Sequence, residues 1–247
     1  MDNAYMKKFV EIYNEKFAGK YGSLPDRVRD AFLLFDRLAF LPSGIEKYGE
    51  AYTLDSPLLT FRLSIGEGGP IYNITSSQPS FILLMLKFLE LEEEVGSVLE
   101  IGSGTGFVLA ILSRLAKQVY GTEIFDPVCS YSREVLAGLD ITNAEITNTK
   151  TNSIPGLPGK APFDRIIVSC GVRAEFLPLI VSQLAPDGLA IVPIRTGTIP
   201  MSWADSPEEA LEFWAMAKQD PSSCILIKAK KDGRTDRLID CCFVPCI

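Results

Sequence analysis

The sequence contains no histidine among its 247 residues, and this absence removes several kinds of chemistry at once. Serine and cysteine nucleophiles activated by imidazole, imidazole acid–base catalysis and histidine-ligated metal sites are all excluded. The six cysteines form no C-x-x-C pair, so zinc-binding and thioredoxin-like interpretations are weak. We therefore expect no metal site, and we expect reduced cysteines that fill space in strands and helices.

Long apolar runs and concentrated basic charge are also missing. The richest apolar run, 81–89, contains Lys87 and is far shorter than the ~20 residues that a bilayer span needs. The N-terminal segment lacks the apolar stretch of a secretory signal. Acidic residues outnumber basic ones by 31 to 24, giving a net charge of −7, and this balance disfavours nucleic acid and anionic lipid as partners. We expect a cytoplasmic protein without a membrane anchor.

The composition that remains is typical of a globular protein, with 47% hydrophobic and 22% charged residues. The length predicts one enlarged domain. From residue 97 onward, predicted strands and helices alternate, which indicates a parallel sheet. The predicted strands are 98–101, 118–122, 144–147, 164–170 and 188–194, and the predicted helices are 105–116, a helix from 126, and a helix near 174–184.

Both ends of the chain depart from this alternation. Helical periodicity covers 5–17 and 25–38, and an irregular stretch with one or two short strands follows over 44–74. Near the other end, Asp232-Gly233 predicts a hairpin between two strands. The predicted fold is α/β, Rossmann-like and doubly wound, with a mostly parallel seven-stranded sheet. An N-terminal helical extension, 1–74, is expected to pack on a core domain, 75–247, as one structural unit.

An additional helix is predicted just before the hairpin. Ser206 is suited to the N-cap, Pro207 to the first helical position, and two glutamates to the first turn. This helix either covers a substrate cleft or is a solvated surface helix.

A glycine-rich loop follows the first strand of the alternating region directly. It reads Gly102-Ser103-Gly104-Thr105-Gly106, and its glycines and the following helix N-terminus would let backbone N–H groups approach a ligand closely. A dinucleotide fingerprint would place glycine at 107, where this chain has Phe107. Glu123 follows the second strand, where a carboxylate can accept hydrogen bonds from both hydroxyls of a ribose.

The spacing E-x-G-x-G-x-G, beginning at Glu100, resembles the first motif of class I S-adenosylmethionine-dependent methyltransferases. In that group the loop cradles the methionine portion of the cofactor. The resemblance implies S-adenosylmethionine as the methyl donor and S-adenosylhomocysteine as the product. The residues expected to bind it are Gln78, Glu100, Gly102, Ser103, Gly104, Thr105, Gly106, Glu123, Ile124, Asn148 and Lys150.

From about residue 26 onward, the chain more closely resembles the protein-L-isoaspartate O-methyltransferases. The most telling match is Thr75-Ser76-Ser77-Gln78-Pro79, because in that family its serine lies beside the methyl-accepting carboxylate. The resemblance therefore implies Ser77 and Thr75 as catalytic residues. Other matching segments are 26–31, 39–42, 51–52, 65–66, 98–106, 161–168, 183–184 with Gly188, and 243–245.

The residues themselves are consistent with an anion site at this segment. Pro79 suits the first turn of a helix, which would place Ser77 just before its positive end. The alternative is that Ser77 only caps that helix. A carboxylate acceptor, with a reference pKa near ~4, is already ionised at neutral pH, so methyl transfer to it needs no general base. This chemistry agrees with the absence of histidine.

Three departures from the family pattern bear on substrate and cofactor. Where relatives carry Gly-Asp-Gly, this chain has approximately Thr149-Lys150-Thr151, and an ammonium cannot accept a hydrogen bond from adenine. Asn148 or Asn152 could substitute, so we expect rearranged or weakened binding at this edge. Ser80 replaces a Tyr or His of many relatives, and 198–222 is an insertion.

The sequence therefore predicts a carboxyl O-methyltransferase that acts on a protein or peptide, with L-isoaspartyl residues as the foremost acceptor and protein repair as the role. One alternative is a peptide-tailoring methyltransferase with a different carboxylate acceptor. Another is a catalytically altered protein of the same fold that binds the cofactor or a partner. A nucleic-acid methyltransferase conflicts with the acidic charge balance. A monomer is the expected assembly.

Overall fold

The structure is a computed structural model that describes residues 4–43, 55–64, 68–149, 155–200 and 206–244. The α-helices are α1 (Ala4–Tyr13), α2 (Asp26–Leu33), α3 (Pro79–Phe88), α4 (Phe107–Leu112), α5 (Asp126–Gly138), α6 (Leu177–Val181) and α7 (Pro207–Gln219). A π-helical segment, Asn14–Ala18, and a turn, Gly19–Tyr21, extend α1. The strands are β1 (Leu58–Ser64), β2 (Ile71–Ser76), β3 (Val95–Ile101), β4 (Ala116–Glu123), β5 (Ala144–Asn148), β6 (Phe163–Val168), β7 (Leu184–Arg195), β8 (Ser223–Lys230) and β9 (Thr235–Cys242).

Seven strands form the central sheet, in the order β5-β4-β3-β6-β7-β8-β9. The strands from β3 to β7 run parallel to their neighbours, and β8 and β9 continue the sheet antiparallel. The predicted mostly parallel seven-stranded sheet with a C-terminal hairpin is thereby confirmed. Because β3 pairs with β4 on one side and β6 on the other, a crevice forms at the carboxyl ends of these strands.

The N-terminal helices and the sheet share one apolar core. Every residue of α4 is buried, as expected for a helix that is apolar on all sides. Phe107 at its start meets the ring of Phe32 from α2 at 6.1 Å and that of Phe40 at 5.3 Å. These contacts fix the start of α4, and with it the end of the glycine-rich loop, against the N-terminal extension.

Several predicted elements have different bounds in the structure. The helix predicted over 105–116 is shorter because 105–106 belong to the loop, 113–115 form a turn and Ala116 begins β4. The helix predicted near 174–184 is a 3₁₀ turn, Ala174–Phe176, followed by α6. In the irregular stretch, β1 and β2 form a separate antiparallel pair. The predicted division between residues 74 and 75 falls within β2 and stays a prediction.

The cysteines differ from expectation at one position. Cys170, just after β6, is disulfide-bonded, so the prediction that all six cysteines are reduced is wrong there. Sequence spacing does not reveal a pairing that the fold creates. Four others are free thiols: Cys129, Cys224, Cys241 and Cys242. Among the described helices, none combines the length and apolar character that crossing a bilayer requires.

Candidate active site

A cleft of about 440 Å³ lies at the carboxyl ends of the central strands, a volume in the range of small-molecule sites. A smaller cavity of about 30 Å³ adjoins it. The two cavities share Thr75, Gly102, Gly104 and Ser169 as lining residues. The rest of the cleft is lined by Ile71, Tyr72, Asn73, Ile74, Ile101, Thr122, Glu123, Ile124, Phe125, Thr149, Pro155, Gly156, Cys170, Val172, Phe176 and Val244.

The glycine-rich loop lines the cleft, and all three of its glycines have a positive φ, which is 79° at Gly102. Gly104 has a φ of 52° and Gly106 a φ of 89°, a region that favours glycine. A Cβ atom at Gly106 would collide with the Ser132 hydroxyl, whereas one at Gly104 would meet only Ile74 Cγ2, at 4.0 Å. The chain therefore leaves the space beside Gly104 open, on the side where a ligand would approach the backbone.

Glu123 at the end of β4 binds this loop directly. Its Oε2 accepts a hydrogen bond from the Gly104 backbone N–H at 3.1 Å, and its Oε1 accepts from Ile124 at 2.8 Å and Phe125 at 3.1 Å. Burial raises the pKa of the Glu123 carboxyl, and these three backbone donors act in the opposite direction. The structure thus brings together the loop and the acid that the sequence paired, and both line the cleft.

Glu100 at the end of β3 is buried beneath the loop. Its Oε1 accepts a hydrogen bond from Ser169 Oγ at 2.7 Å. Burial raises the pKa of the Glu100 carboxyl to about 8, so the neutral acid predominates at pH 7. Within the described residues, Glu100 Oε2 and Ser103 Oγ have no hydrogen-bond partner. Both residues line the smaller cavity, which can therefore accept a polar group that satisfies them.

Thr75 and Ser77, the predicted catalytic residues, also line the smaller cavity. Ser77 does not cap α3: the N-cap position is Gln78, without a side-chain capping bond. Instead Asp55 Oδ1 accepts from the backbone N–H of Ser80, at 2.9 Å. The capping interpretation of Ser77 is therefore wrong. The positive end of α3 is also partly compensated by the Asp55 carboxylate, which the sequence did not predict.

Some predicted cofactor-binding residues lie elsewhere. The Gln78 side chain donates to Asp55 Oδ2 at 2.9 Å and lines neither cavity. The Asn148 amide donates to the Ile124 carbonyl at 3.4 Å and contacts the Asp126 carboxylate. Lys150, with Thr151 and Asn152, falls outside the described residues. The remaining predicted residues that line one cavity or the other are Glu100, Gly102, Ser103, Gly104, Thr105, Glu123 and Ile124.

Sequence reasoning missed three side chains that shape the site. Gln183 fixes the cleft-lining loop at Gly156, since its Nε2 donates to the Pro155 carbonyl at 2.9 Å and its Oε1 accepts from Leu157 at 2.7 Å. Arg37 and Asp55 hold the segment that carries Ser77. The available signal was the type of residue: Arg37 interrupts an apolar stretch, and a buried arginine needs partners.

The inserted helix α7 forms as predicted, with Ser206 Oγ accepting from the Glu209 backbone N–H at 3.1 Å. It packs against the 3₁₀ turn Thr196–Thr198 after β7 and against β9, where Arg237 donates to Glu209 at 2.7 Å and lies 5.2 Å from the Phe213 ring centre. No described side chain of α7 lines the cleft. The structure therefore favours the surface-helix interpretation over a cleft cover.

Comparison with known proteins yields consistent matches. The family model for protein-L-isoaspartate(D-aspartate) O-methyltransferase matches residues 14–211. The chain is 34% identical over 184 residues to a protein-L-isoaspartate O-methyltransferase of Myxococcus xanthus, covering 74% of this chain and 79% of that one. It is 33% identical over 245 residues to protein-L-isoaspartate O-methyltransferase 1 of Pelobacter propionicus, covering 98% and 94%.

Solved structures are similar in fold. A protein-L-isoaspartate O-methyltransferase superposes with a TM-score of 0.69 at 24% identity, covering 98% of this chain and 65% of that chain. A putative protein-L-isoaspartate O-methyltransferase from Plasmodium falciparum, solved in complex with S-adenosyl-L-homocysteine, superposes with a TM-score of 0.64 at 21% identity, covering 97% of each chain.

Proposed function

Because the chain belongs to the protein-L-isoaspartate(D-aspartate) O-methyltransferase family, a family of class I, S-adenosylmethionine-dependent enzymes, we propose that it methylates the free α-carboxylate of L-isoaspartyl residues in proteins or peptides. The backbone amide nitrogen would attack the ester and expel methanol to form a succinimide. Water would then open the succinimide partly to normal aspartate, which is the repair step. The observation that carries the proposal is that the two cavities adjoin: the cleft lined by Glu123 and the cavity lined by Ser77 share Thr75, Gly102, Gly104 and Ser169 as lining residues.

The residues of the cleft fit S-adenosylmethionine on the donor side. Glu123 would accept hydrogen bonds from the ribose hydroxyls, and the open space beside Gly104 would admit the ligand against the backbone. Glu100 Oε2 and Ser103 Oγ, buried without partners, would meet polar groups of the methionine portion. Ile124 lines the cleft next to Glu123 and would contact the adenine. When bound, the cofactor supplies a methyl group on a positively charged sulfur.

On the acceptor side, the chain has to bind, align and desolvate a carboxylate. The hydroxyls of Thr75 and Ser77 would donate hydrogen bonds to it. No proton has to be removed from the acceptor, because a carboxylate is ionised at neutral pH. Orientation alone can supply on the order of 7–11 kcal/mol of rate enhancement when the reacting atoms are held near contact distance. A site without imidazole is therefore sufficient for this reaction.

The departure at Ser80 does not favour a different acceptor. Its side chain is fully buried, and its hydroxyl donates to Asp55 Oδ2 at 2.6 Å. Ser80 is therefore hydrogen-bonded inside the protein, and its side chain cannot contact a substrate. The methyl-transfer and binding experiment described next distinguishes isoaspartyl methylation from the peptide-tailoring and non-catalytic alternatives.

The test is transfer of tritiated methyl from S-adenosylmethionine to an isoaspartyl peptide and to its aspartyl twin, with S-adenosylhomocysteine binding measured by calorimetry. The expected result is base-labile label on the isoaspartyl peptide alone. Label on neither peptide together with tight S-adenosylhomocysteine binding would indicate a binding protein or a different acceptor. Absence of binding at millimolar ligand would overturn the donor site itself.

A further inference from the structure

A buried arginine donates hydrogen bonds to the backbone of the segment that carries Ser77, one of the residues predicted to bind the acceptor carboxylate. Arg37 is fully buried in the 3₁₀ turn Arg37–Phe40. Its Nη2 donates to the carbonyl oxygens of Ser76 at 3.0 Å and Ser77 at 2.9 Å, and its Nε donates to Ser76 Oγ at 3.3 Å. The cation therefore holds the main chain where the Ser77 side chain is attached, while lining neither cavity itself.

A buried carboxylate holds the same segment from its other end. Asp55 Oδ1 accepts from the Ser80 backbone N–H at 2.9 Å, and Oδ2 accepts from Ser80 Oγ at 2.6 Å and from Gln78 Nε2 at 2.9 Å. Lys16 Nζ also reaches Oδ2, at 2.9 Å. Burial alone would raise the pKa of the Asp55 carboxyl. These hydrogen bonds outweigh burial and hold that pKa below its usual value, so the carboxylate is ionised at neutral pH.

The two charges are part of one arrangement. Arg37 Nη2 also donates to the carbonyl oxygen of Ser56 at 3.0 Å, the residue that follows Asp55. Burial lowers the pKa of Arg37 to about 10, and the Asp55 charge acts in the opposite direction, so the guanidinium is protonated at neutral pH. Segment 76–80 is thus bound through its carbonyl groups by a cation and through its amide and polar side chains by an anion. Burying charged groups costs free energy, and their best attested role is to specify one arrangement.

We infer that Arg37 and Asp55 are positioning residues that fix the Thr75 and Ser77 hydroxyls in the geometry that binds the acceptor carboxylate. The inference rests on the proposed function. Neither residue contacts the glycine-rich loop or Glu123 through a hydrogen bond found in the described residues. Loosening the pair should therefore weaken acceptor binding and leave donor binding almost unchanged.

The experiment compares Arg37→Lys, Asp55→Asn and the double variant with Arg29→Lys, a matched control at an exposed arginine of α2. Lysine keeps the charge but cannot reproduce the planar guanidinium that spans three carbonyls. Each single variant is expected to raise the KM for an isoaspartyl peptide about tenfold, as expected for lost hydrogen bonds to a charged group. The Kd for S-adenosylhomocysteine should stay within about twofold of the original protein.

The double variant adds a readout that a merely structural role would not give. Because both residues act on segment 76–80, its KM effect should be smaller than the product of the two single effects, and amide exchange should accelerate at 76–80 before it does at 102–106. An unchanged KM in folded Arg37→Lys and Asp55→Asn proteins would overturn the inference. A parallel loss of S-adenosylhomocysteine affinity would overturn it too, since that would mean general destabilisation.

Failure of the proposed function is distinguishable from failure of the inference alone. An original protein that neither methylates nor binds the isoaspartyl peptide would overturn both, whereas an active original protein with unaffected variants would overturn only the positioning role. If Arg37→Lys does not fold, Ser76→Ala tests the same contact, because it removes only the hydroxyl that receives Arg37 Nε. That variant is expected to raise the peptide KM by about threefold, and no change would count against the inference.

Discussion

The two sides of the site are built by different means. The donor wall, which comprises 102–106 and Glu123, is held by main-chain groups: the backbone N–H groups of Gly102 and Ser103 donate to the Thr122 carbonyl, each at 2.9 Å, and Gly104 donates to Glu123. The acceptor wall, which comprises 75–77, is held in part by the pairing of Thr75 and Ser76 with β1 and in part by the buried Arg37 side chain from the N-terminal part of the chain. The donor wall thus depends on neighbouring strands of the central sheet, whereas the acceptor wall depends also on a long-range contact with a charged side chain.

The difference matches what each wall has to bind. The donor is one molecule of constant shape, so a wall of fixed backbone suits it. The acceptor carboxylate belongs to peptides of different sequence. The position of the acceptor wall depends on contacts such as those of Arg37, and substitutions far from the site can change these contacts. The comparison therefore predicts that damage to the donor wall abolishes S-adenosylhomocysteine binding, whereas damage to the acceptor wall leaves it intact.

The strongest expected effect is at Gly104. Gly104→Val places a branched side chain at a φ of 52° and fills the open space beside the backbone, so S-adenosylhomocysteine affinity should fall on the order of 100-fold or more. Calorimetry measures the loss. Gly138→Val is the matched control, because a Cβ at this exposed helical glycine meets nothing within 4 Å, and it should retain affinity. Full S-adenosylhomocysteine affinity in Gly104→Val would contradict the claim that the donor wall binds this ligand.

A smaller but still large effect is expected at Glu123. In Glu123→Gln, an amide that carries two donors replaces a carboxylate that accepts from three backbone N–H groups. At least one contact becomes repulsive, and the Kd for S-adenosylhomocysteine should rise by ~30-fold. A radiometric filter-binding or calorimetric titration is the measurement. Glu134→Gln, an exposed glutamate of α5, is the control and should bind as the original protein does.

The acceptor wall is tested at Ser77 itself. Ser77→Ala removes the hydroxyl that would donate to the acceptor carboxylate, so kcat/KM for an isoaspartyl peptide should fall about tenfold. The Kd for S-adenosylhomocysteine should not change, because the donor wall does not depend on this side chain. Steady-state kinetics and calorimetry on one preparation give both values. Equal losses in both would show that the two walls are not independent.

This contrast also explains how much the sequence could predict. The glycine-rich loop, Glu123 and the alternating strands are local patterns, because strand–loop–helix geometry depends on neighbouring residues, and the structure contains them as expected. The Ser206 cap on α7 is local in the same sense. The element ends were less predictable: β4 begins at Ala116 where an apolar run had indicated a continuing helix.

What the sequence could not predict depends on residues that are far apart in the chain. Asp55 and Ser80 are 25 residues apart, and Arg37 and Ser77 are 40 apart. No periodicity or motif joins them, and Ser77 was accordingly open to a capping interpretation that Asp55 excludes. Such contacts exist only once the core has brought the N-terminal extension against α3.

The last and smallest effect concerns Glu100, which belongs to the donor motif but lines the smaller cavity with Ser77. Its pKa of about 8 exceeds the ordinary value of 4.5, so the folded state holds a proton that the unfolded chain releases above about pH 4.5. Stability should consequently decline as pH rises from about 5 to about 8. Glu100→Gln cannot ionise, and its melting temperature should fall by several degrees less over that range.

Because Glu100 is neutral at pH 7, its replacement by neutral glutamine should change S-adenosylhomocysteine affinity by no more than about threefold there, unlike Glu123→Gln. Differential scanning fluorimetry at the two pH values and calorimetry at pH 7 are the measurements, again with Glu134→Gln as control. A parallel pH dependence in the original protein and Glu100→Gln would mean that Glu100 is ionised when folded. In that case Glu100 would place a negative charge in the smaller cavity, where it would repel the acceptor carboxylate. A cation outside the donor motif would then be needed for the acceptor to bind.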